Sequence, residues 1–394
     1  MVKNLTVDSI AFTGRNGKRV AVRYKPAVAD KTPNATLANR RPFSVSYVMP
    51  TLKVSDESIA EAAAILSRGG LVAFPTETVY GLGGDAFNPE ALARIFQAKG
   101  RPRFDPLIVH IADPETLGQV ADLSPLDAAA REKLSLLTRN LWPGPLTLVL
   151  PKRRAVPDLA TSGLPTVAVR LPAHETARRL IALSTGAIAA PSANPFGYLS
   201  PTLAEHVTET LGDKIDLVLD GGPSRVGLES TVLDLCGERP TILRPGGTPR
   251  EAIEALIGPV HTGPGTDDRQ TDGLPSPGMM KSHYAPRSPL AVHDGESILA
   301  LPQSGASPKG ETAFLFFDGA TRDAWLSRHP EGKARVAVLS QGGDAVEAAA
   351  RLFQALHELD RLNPGLIHAQ LAPDHGLGQA INDRLRRAGN LTGG

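Results

Sequence analysis

The segment KGRPR, residues 99–103, carries three cations within five positions of a chain whose formal net charge is only +1. Guanidinium groups offer paired N–H donors that match the oxygens of phosphate or carboxylate. Pro102 and Pro106 stiffen the loop, and Asp105 adds an acceptor beside the cations. An exposed helix end would also explain these cations, because they interact favourably with the helix dipole by about 0.3–1 kcal/mol. The rigid loop favours a phosphate site.

Two further charged side chains interrupt apolar strand patterns. His110 lies within LIVHI (107–111), and Arg170 alternates with apolar residues in VAVRL (167–171). A lone histidine or arginine in a strand is more often structural or exposed, but strongly apolar segments flank both of these. A substrate carboxylate would satisfy Arg170 with two parallel hydrogen bonds.

Hydroxyl, amide and guanidinium groups also lie next to several predicted strands. They occur in FPTETVYGLGGDAF (74–87) with Thr76 and Thr78, APSAN (190–194) with Ser192 and Asn194, GLEST (227–231) with Ser230, and LRPGG (243–247) with Arg244. The residue preferences of turns would by themselves explain such segments. However, α/β sheets bind ligands at the carboxyl ends of their strands, so we expect these side chains to converge on one site. The glycines between 81 and 84 would let the backbone approach a ligand closely. No GxxxxGK[ST] motif occurs, so a nucleotide would be held without a Walker loop.

The elements predicted around these segments form an α/β protein with a mixed sheet covered by helices. Asn88 as N-cap and Gly100 just past the end predict a helix between them, which places Lys99 in its last turn. Capping boxes beginning at Thr202 and Thr248 predict two further helices.

The chain of 394 residues exceeds what one hydrophobic core usually serves, and its patterns divide it into four parts. Residues 1–48 show no sustained periodicity and are interpreted as an extension outside the core, with Met49 as the natural start. Residues 52–257 form the first α/β domain. Residues 258–290 are dense in glycine and proline and predict a linker. Residues 291–388 alternate strand and helix patterns, which predicts a small parallel sheet.

Composition narrows the classes of function. With 42 Lys and Arg against 41 Asp and Glu, no global field attracts nucleic acid or a membrane surface. Cys236 is the only cysteine, which excludes a disulfide framework and a multi-cysteine metal site. Metal-binding HExxH and EF-hand motifs are absent, so the sequence predicts no metal site built by the protein. No apolar run approaches the roughly 20 residues of a membrane span, and we expect a cytoplasmic protein.

The motifs, taken in order, resemble those of the YrdC-type L-threonylcarbamoyladenylate synthases. They are LVAFPTETVYGLGGDA, KGRP, DPLIVHI, WPGPLTLVL, TVAVRLP, APSAN, SPT, GLESTV, LRPG and PGMMKSHYAP. The match is to the long, two-domain form; it is dense over residues 52–290, looser over 291–388, and leaves 1–48 outside. The resemblance implies a YrdC-like twisted mixed sheet with flanking helices, followed by a smaller C-terminal Rossmann-like domain with a parallel sheet.

The resemblance implies an activity as well. The family joins L-threonine, bicarbonate or CO2, and ATP into threonylcarbamoyl-AMP and pyrophosphate, the first step in making the t6A base of tRNAs that read ANN codons. It implies Mg²⁺ that arrives with ATP and no tightly bound organic cofactor. It also implies hand-over of the product to the tRNA threonylcarbamoyl transferase complex and weak binding of tRNA, including double-stranded RNA.

Site residues follow from the matching positions. Lys99 and Arg101 would be catalytic. Threonine would contact Thr78, His110, Arg170, the backbone of Ala190, and Ser230. ATP would contact Lys99, Arg101, Asp105, Thr166, Ser192, Asn194, Ser200, Arg244 and, from the linker, Tyr284. The linker motif PGMMKSHYAP is expected to close over the site as a lid, since a labile product needs protection from water.

Two other classes of function compete with this interpretation. An RNA-binding module would use a positive face, but the balanced charge of the chain weighs against this as the main function. A carbamoyl-transfer domain of the kind found in hydrogenase maturation factors shares the YrdC-like region. The absence of zinc-finger cysteines and the presence of the threonine-site residues argue against that alternative.

Overall fold

The computed structural model describes residues 50–263, 284–302, 311–330 and 334–389, together with the backbone of two earlier strands. Those two strands, β1 (Ser9–Thr13) and β2 (Arg19–Arg23), pair in antiparallel fashion within a unit that spans Met1–Tyr47. Everything else belongs to a second unit, Val48–Gly394. Most of the predicted linker, residues 264–283, lies outside the described residues.

Within the described residues, the larger sheet has eleven strands. They are β3 (Thr51–Lys53), β4 (Val72–Phe74), β5 (Gly81–Asp85), β6 (Ile108–Ile111), β7 (Leu146–Pro151), β8 (Thr166–Arg170), β9 (Ala187–Ala189), β10 (Leu217–Asp220), β11 (Thr231–Asp234), β12 (Thr241–Arg244) and β13 (His261–Thr262). Their order across the sheet is β13-β12-β11-β7-β8-β6-β9-β5-β4-β10-β3. Parallel pairs such as β6 with β8 alternate with antiparallel pairs such as β6 with β9, which confirms the predicted mixed sheet.

The helices of this part pack against the sheet and against one another. They are α1 (Asp56–Ser67), α2 (Pro89–Lys99), α3 (Leu117–Val120), α4 (Ala128–Leu141), α5 (Asp158–Thr161), α6 (Glu175–Leu183), α7 (Ala204–Leu211) and α8 (Arg250–Ile257). The prediction for α2 is confirmed: the Asn88 side chain accepts from the N–H groups of Glu90 and Ala91, and Gly100 ends the helix at φ 63°. Lys99 is therefore the last residue of α2, and the basic loop follows it directly.

The two predicted capping boxes are wrong. Helices α7 and α8 begin at Ala204 and Arg250, two residues after each threonine, and no side chain caps either of them. The N–H of Thr202 donates instead to His206 Nδ1 at 3.3 Å, and the backbone of Thr248 exchanges hydrogen bonds with the hydroxyl of Thr231. At Thr202 a side chain of the same helix has taken the backbone group that a capping box would use, and at Thr248 a residue of β11 has done so.

The glycines predicted to let a ligand approach have another role. They belong to β5, which pairs with β4 and β9 inside the sheet. A Cβ atom on Gly83 would lie 3.0 Å from the ring of Phe74, and one on Gly84 would lie 3.1 Å from Ile95. These glycines therefore admit buried side chains of neighbouring elements, and the interpretation as ligand contacts is wrong.

A second sheet follows the linker. Its strands β14 (Leu290–His293), β15 (Thr312–Asp318), β16 (Arg335–Ser340) and β17 (Leu366–Gln370) are all parallel, in the order β14-β17-β15-β16. Its helices are α9 (Gly295–Leu299), α10 (Gly319–Arg328), α11 (Ala345–Arg361) and α12 (Leu377–Gly389). Both α10 and α11 pack on β15 and β16, while α9 contacts α10 and α11 contacts α12, so helices cover both faces. The predicted small parallel sheet is confirmed.

One hydrophobic cluster joins the two sheets. Val79, Leu199 and Leu228 from the first sheet's loops pack with Phe353 and other apolar residues of α11 and α12. The predicted boundaries at 52–257, 258–290 and 291–388 stay a prediction, because the contacts of Val48–Gly394 form one unit across them. In the part of the chain that the structure describes, no helix has the length and apolarity needed to cross a membrane.

Candidate active site

A cleft lies where the loops of the larger sheet meet. Its walls are formed by Thr78, Val79, Arg101, Ile108, His110, Arg170, Ala190, Pro191, Ser192, Glu229, Ser230, Arg244 and Tyr284. Because β9 runs antiparallel to β6, the carboxyl end of β9 meets the amino end of β6. The cleft therefore gathers residues from both ends of strands and from the face between them, and it brings together Thr78, Ser192, Ser230 and Arg244, which were expected to converge.

Arg170 is fixed at the end of β8 by three partners. Its Nη2 atom lies 2.5 Å from Glu77 Oε1, its Nη1 atom donates to the Thr78 hydroxyl at 2.8 Å, and its Nε atom donates to the carbonyl of Gly144 at 3.3 Å. The side chains of Arg170 and Glu77 are almost fully buried. Burial raises the pKa of Glu77, but Arg170, together with backbone hydrogen bonds, lowers it overall, so this carboxylate is ionised.

His110 faces the same cleft in its neutral form. Burial and the nearby charge of Arg170 lower the pKa of His110 to about 3. Its Nδ1 atom lies 3.2 Å from the carbonyl oxygen of Ile108, which can only accept, so Nδ1 carries the proton. The Nε2 atom is consequently an acceptor.

Lys99 stabilises the APSAN loop from behind. Its Nζ atom donates to the carbonyl oxygens of Ser192 and Asn194, each at 2.5 Å. The Asn194 side chain then donates to the carbonyls of Pro195 and Tyr198 at 2.9 Å. Burial, together with repulsion from Arg101, places the pKa of Lys99 well below its usual range. Lys99 therefore shapes the wall that Ser192 presents to the cleft.

Arg101 is held by its own loop. Its Nη2 atom lies 2.9 Å from Asp105 Oδ1 and donates to the carbonyl of Pro106 at 2.7 Å, and its Nε atom donates to the carbonyl of Asp105 at 3.0 Å. Asp105 is fully buried behind the arginine. The guanidinium also lies 5.9 Å from the ring centroid of Phe196. The loop thus fixes one cation at the edge of the cleft.

Ser230 and Arg244 form another part of the wall. Arg244 Nη2 donates to the carbonyl of Ser230 at 2.9 Å, and the Ser230 hydroxyl lies 2.7 Å from the hydroxyl of Thr147. Next to them, Glu229 accepts a hydrogen bond from the hydroxyl of Ser200. Burial raises the pKa of Glu229, but Arg384 and Arg244 lower it overall, so this carboxylate is ionised.

Tyr284 forms part of the wall from the end of the predicted lid. It is 1% exposed and has a φ of 63°, a left-handed conformation that is rare for an aromatic residue. The N–H of Ala285 fixes this turn by donating to the carbonyl of Gly197 at 2.8 Å. The remaining lid motif, residues 277–283, lies outside the described residues.

The predicted site residues fall into three groups. Nine of them line the cleft: Thr78, Arg101, His110, Arg170, Ala190, Ser192, Ser230, Arg244 and Tyr284. Four others lie directly behind residues of the wall, as their hydrogen bonds and ion pairs with Ser192, Arg101 or Glu229 show: Lys99, Asp105, Asn194 and Ser200. Thr166 begins β8, at the opposite end of the strand from Arg170, and its contact with ATP stays a prediction.

Sequence reasoning missed two carboxylates of the site. Glu77 lies between the predicted Thr76 and Thr78, and Glu229 lies within GLEST. One feature of the sequence could have identified both of them: each is a single acidic residue among neutral neighbours, directly after or before a buried strand. Among the described residues, no group of three His, Cys, Asp or Glu side chains is placed to hold a metal ion.

Comparisons with known proteins decide the family. Residues 64–246 match the Sua5, YciO and YrdC family model described as telomere recombination, and residues 248–390 match the model described as threonylcarbamoyl-AMP synthase, C-terminal domain. A threonylcarbamoyl-AMP synthase of Pyrococcus abyssi is 44% identical over 347 residues, which cover 85% of this chain and 95% of the relative. The chain belongs to the threonylcarbamoyl-AMP synthase family. This confirms the family that its motifs indicate.

Two further relatives and one solved structure support the same family. A threonylcarbamoyl-AMP synthase of Bacillus subtilis is 43% identical over 344 residues, covering 86% of this chain and 95% of the relative. One from Schizosaccharomyces pombe is 34% identical over 387 residues, covering 90% and 93%. The crystal structure of P. abyssi Sua5 complexed with L-threonine matches with a TM-score of 0.75 at 40% identity, covering 87% of this chain and 98% of that one. The two-sheet fold is thus that of the family.

Proposed function

We propose that the cleft forms threonylcarbamoyl-AMP and pyrophosphate from L-threonine, bicarbonate or CO2, and ATP, the first step towards the t6A base of tRNA. One observation carries this proposal: Arg170, assigned to the threonine carboxylate, and Arg101 and Arg244, assigned to ATP, line the same cleft. The reaction brings two anions together, so cations must offset their repulsion. Relatives that are named for this product support the same reaction.

Threonine binds on the side of Arg170. Each terminal nitrogen of this arginine uses one N–H for Glu77 or Thr78 and retains a second for the substrate carboxylate. His110 orients the substrate by accepting a hydrogen bond at Nε2, since a pKa of about 3 makes it a weak base. The hydroxyl of Ser230 and the backbone of Ala190 complete this part of the site.

The chemistry consists of two bond-forming steps. The nitrogen lone pair of threonine attacks the carbon of CO2, and the amine proton passes to solvent or bicarbonate, which leaves a carbamate. A carbamate oxygen then attacks the α-phosphorus of ATP. The bond between that phosphorus and the bridging oxygen breaks, and pyrophosphate leaves with the electron pair.

Two further cations of the cleft favour the second step. Arg101 and Arg244 would face the triphosphate and the departing pyrophosphate, and Lys99 holds the Ser192 wall of the same cleft. Mg²⁺ enters with ATP as part of the substrate. Because the cations are already fixed by Asp105 and Ser230, little reorganisation is needed when charge develops.

The product is a labile mixed anhydride, so its protection and transfer belong to the proposal. The predicted lid, which contributes Tyr284 to the wall, would exclude water during the reaction. Hand-over to the tRNA threonylcarbamoyl transferase complex, with weak binding of tRNA, would limit hydrolysis afterwards. Because ATP and tRNA are cytoplasmic molecules, we propose the same compartment for this protein. The domain boundaries at 52–257, 258–290 and 291–388 are part of the same proposal.

Pyrophosphate release tests the activity directly. With ATP and Mg²⁺ present, we expect release only when threonine and bicarbonate are both added, and mass spectrometry should detect threonylcarbamoyl-AMP. Release without threonine would indicate a simple ATPase. Strongly salt-dependent tRNA binding with no threonine-dependent ATP cleavage would favour the RNA-binding alternative.

A further inference from the structure

Glu229 places a buried negative charge in a cleft that is proposed to hold ATP. The residue is only 6% exposed, and it lines the same cleft as Arg101 and Arg244. Its backbone carbonyl accepts from Gly247, and its carboxylate accepts from Ser200, so it cannot turn away from the site without losing these contacts. A carboxylate in this position repels phosphate unless its own charge is offset nearby.

Arg244 offsets part of this charge, and a second cation comes from the last helix of the second sheet. Arg384 on α12 is fully buried, and its Nε atom donates to Glu229 Oε2 at 2.8 Å. Its Nη1 atom donates to the carbonyl of Pro245 at 2.9 Å, in the loop directly after Arg244. Arg384 does not itself line the cleft, so it can act on substrate only through its neighbours.

The same guanidinium also supports Tyr284. Its carbon lies 4.9 Å from the centroid of the tyrosine ring, a distance at which cation and ring attract each other. The ring of Phe353, on α11, lies 5.9 Å from the tyrosine ring. Tyr284 adopts a strained left-handed backbone, which persists only when surrounding contacts fix it. Side chains of the second sheet supply those contacts.

We infer that Arg384 is a positioning residue for the reaction: it neutralises Glu229 and fixes Tyr284, so that the cleft of the first sheet accepts ATP. The inference rests on the proposed function, and it gives the C-terminal sheet a role in catalysis. The cleft is incomplete without α12, because the charge of Glu229 would then face the nucleotide. No direct contact between the second sheet and substrate is required.

The test begins with Arg384→Met, which removes the charge and keeps much of the volume. We expect the KM for ATP to rise at least tenfold while the KM for threonine changes less than twofold. Arg384 is the first of the cations that lower the pKa of Glu229, ahead of Arg244, and Lys99 and Tyr284 also interact with this carboxylate. Removing Arg384 raises the pKa of Glu229, so the carboxylate takes up a proton more readily as the pH falls. The defect in the KM for ATP should therefore shrink with falling pH relative to wild type, which a purely structural role would not produce.

Charge rescue separates electrostatics from packing. The Glu229→Gln/Arg384→Met double variant removes both charges, and its KM for ATP should return to within about threefold of that of Glu229→Gln alone. Arg384→Lys should retain part of the function. Arg386→Met is the matched control, because Arg386 is exposed on the same helix and should leave the KM for ATP unchanged. Melting temperatures identify any variant that fails to fold. If Arg384→Met alone fails to fold, the comparison of the double variant with Glu229→Gln still tests the inference.

The outcomes are distinguishable. If wild type is active but Arg384→Met leaves the KM for ATP unchanged, or if the effects of the two substitutions simply multiply, the inference is overturned and the proposed function stands. If wild type releases no threonine-dependent pyrophosphate, the proposed function fails and the inference fails with it.

Discussion

Arg101 is the cation of the cleft whose role can be isolated most cleanly. Replacing it with Gln should lower kcat/KM for pyrophosphate release by about 10²–10³, the usual cost of losing one fixed group that stabilises developing charge. Because Arg101 and Asp105 form a buried ion pair, removing one charge unbalances the other, so the substitution is best made together with Asp105→Asn. Steady-state kinetics of the double variant against Asp105→Asn measures the effect.

The same loop provides the control. Arg103 is exposed two residues further on, so Arg103→Gln should leave kcat/KM within about twofold of wild type. An equal loss in both variants would mean that the loop attracts ATP only by its overall charge. The melting temperature of each variant shows whether a loss of activity reflects unfolding.

At the scale of residues, sequence reasoning found the cations more readily than their partners. Arg101 and Arg170 stand out because charged side chains interrupt apolar or rigid segments. Glu77 and Glu229 could not be assigned, since their partners Arg170 and Arg384 are 93 and 155 positions away along the chain. Only the fold brings such pairs together.

Among the elements, β5 depends on its glycines. A methyl group at Gly83 would lie 3.0 Å from the ring of Phe74 and 3.3 Å from Ile188, and both side chains are fully buried. Gly83→Ala should therefore reduce the free energy of unfolding by about 1–3 kcal/mol, the usual cost of adding volume to a packed core. Thermal or urea unfolding measures the loss.

Two comparisons check that packing is the cause. Gly118 lies in α3 with open space around it, so Gly118→Ala should leave stability unchanged or raise it by up to about 1 kcal/mol. Adding Phe74→Leu to Gly83→Ala should recover part of the loss, because it makes room for the new methyl group. A neutral Gly83→Ala would contradict the close packing of β5.

Element prediction succeeded where the signals were local and failed where tertiary contacts decided. Helix α2 carries its own N-cap, first-turn proline and terminal glycine, and its bounds follow from them. The strand character of β5 was missed because GLGGD has little β propensity, and the sheet imposes the conformation by pairing it on both sides. Thr248 resembles a cap, but the hydroxyl of Thr231, 17 positions earlier, engages its backbone.

For the whole molecule, the first prediction concerns the N-terminal unit. Because Met1–Tyr47 is separate from Val48–Gly394, a chain that begins at Met49 should keep kcat within about twofold and its melting temperature within about 2 °C. A chain that begins at Ser55 is the control: it lacks β3, which pairs with β10 at the sheet edge, and should melt earlier. An inactive or insoluble Met49 chain would show that the first unit is required.

Two stacked histidines, one on α7 and one on α11, have lower pKa values in the folded protein than a free histidine has. The rings of His206 and His357 lie 3.8 Å apart, and His357 Nε2 lies 3.2 Å from the carbonyl of Ser200. Burial, with repulsion from His357 and Arg361, lowers the pKa of His206 to about 3. Burial also lowers the pKa of His357 to about 4, and the charge of Arg361 lowers it further. The Ser200 carbonyl and the carboxylates of Asp360 and Glu209 raise this pKa, but by less.

We therefore expect acid to lower the free energy of unfolding through this pair of histidines. Below pH 6.5 the unfolded histidines take up protons while the folded pair stays neutral, so the unfolding free energy falls as the pH drops. Between pH 6.5 and pH 5 each histidine should account for about 1.5 kcal/mol. His206→Asn with His357→Gln keeps a hydrogen-bonding group at each position and should remove about 3 kcal/mol of this loss, as urea unfolding at both pH values measures. The exposed His375→Gln should leave the loss unchanged, and an identical loss in the double variant would mean that other groups cause it.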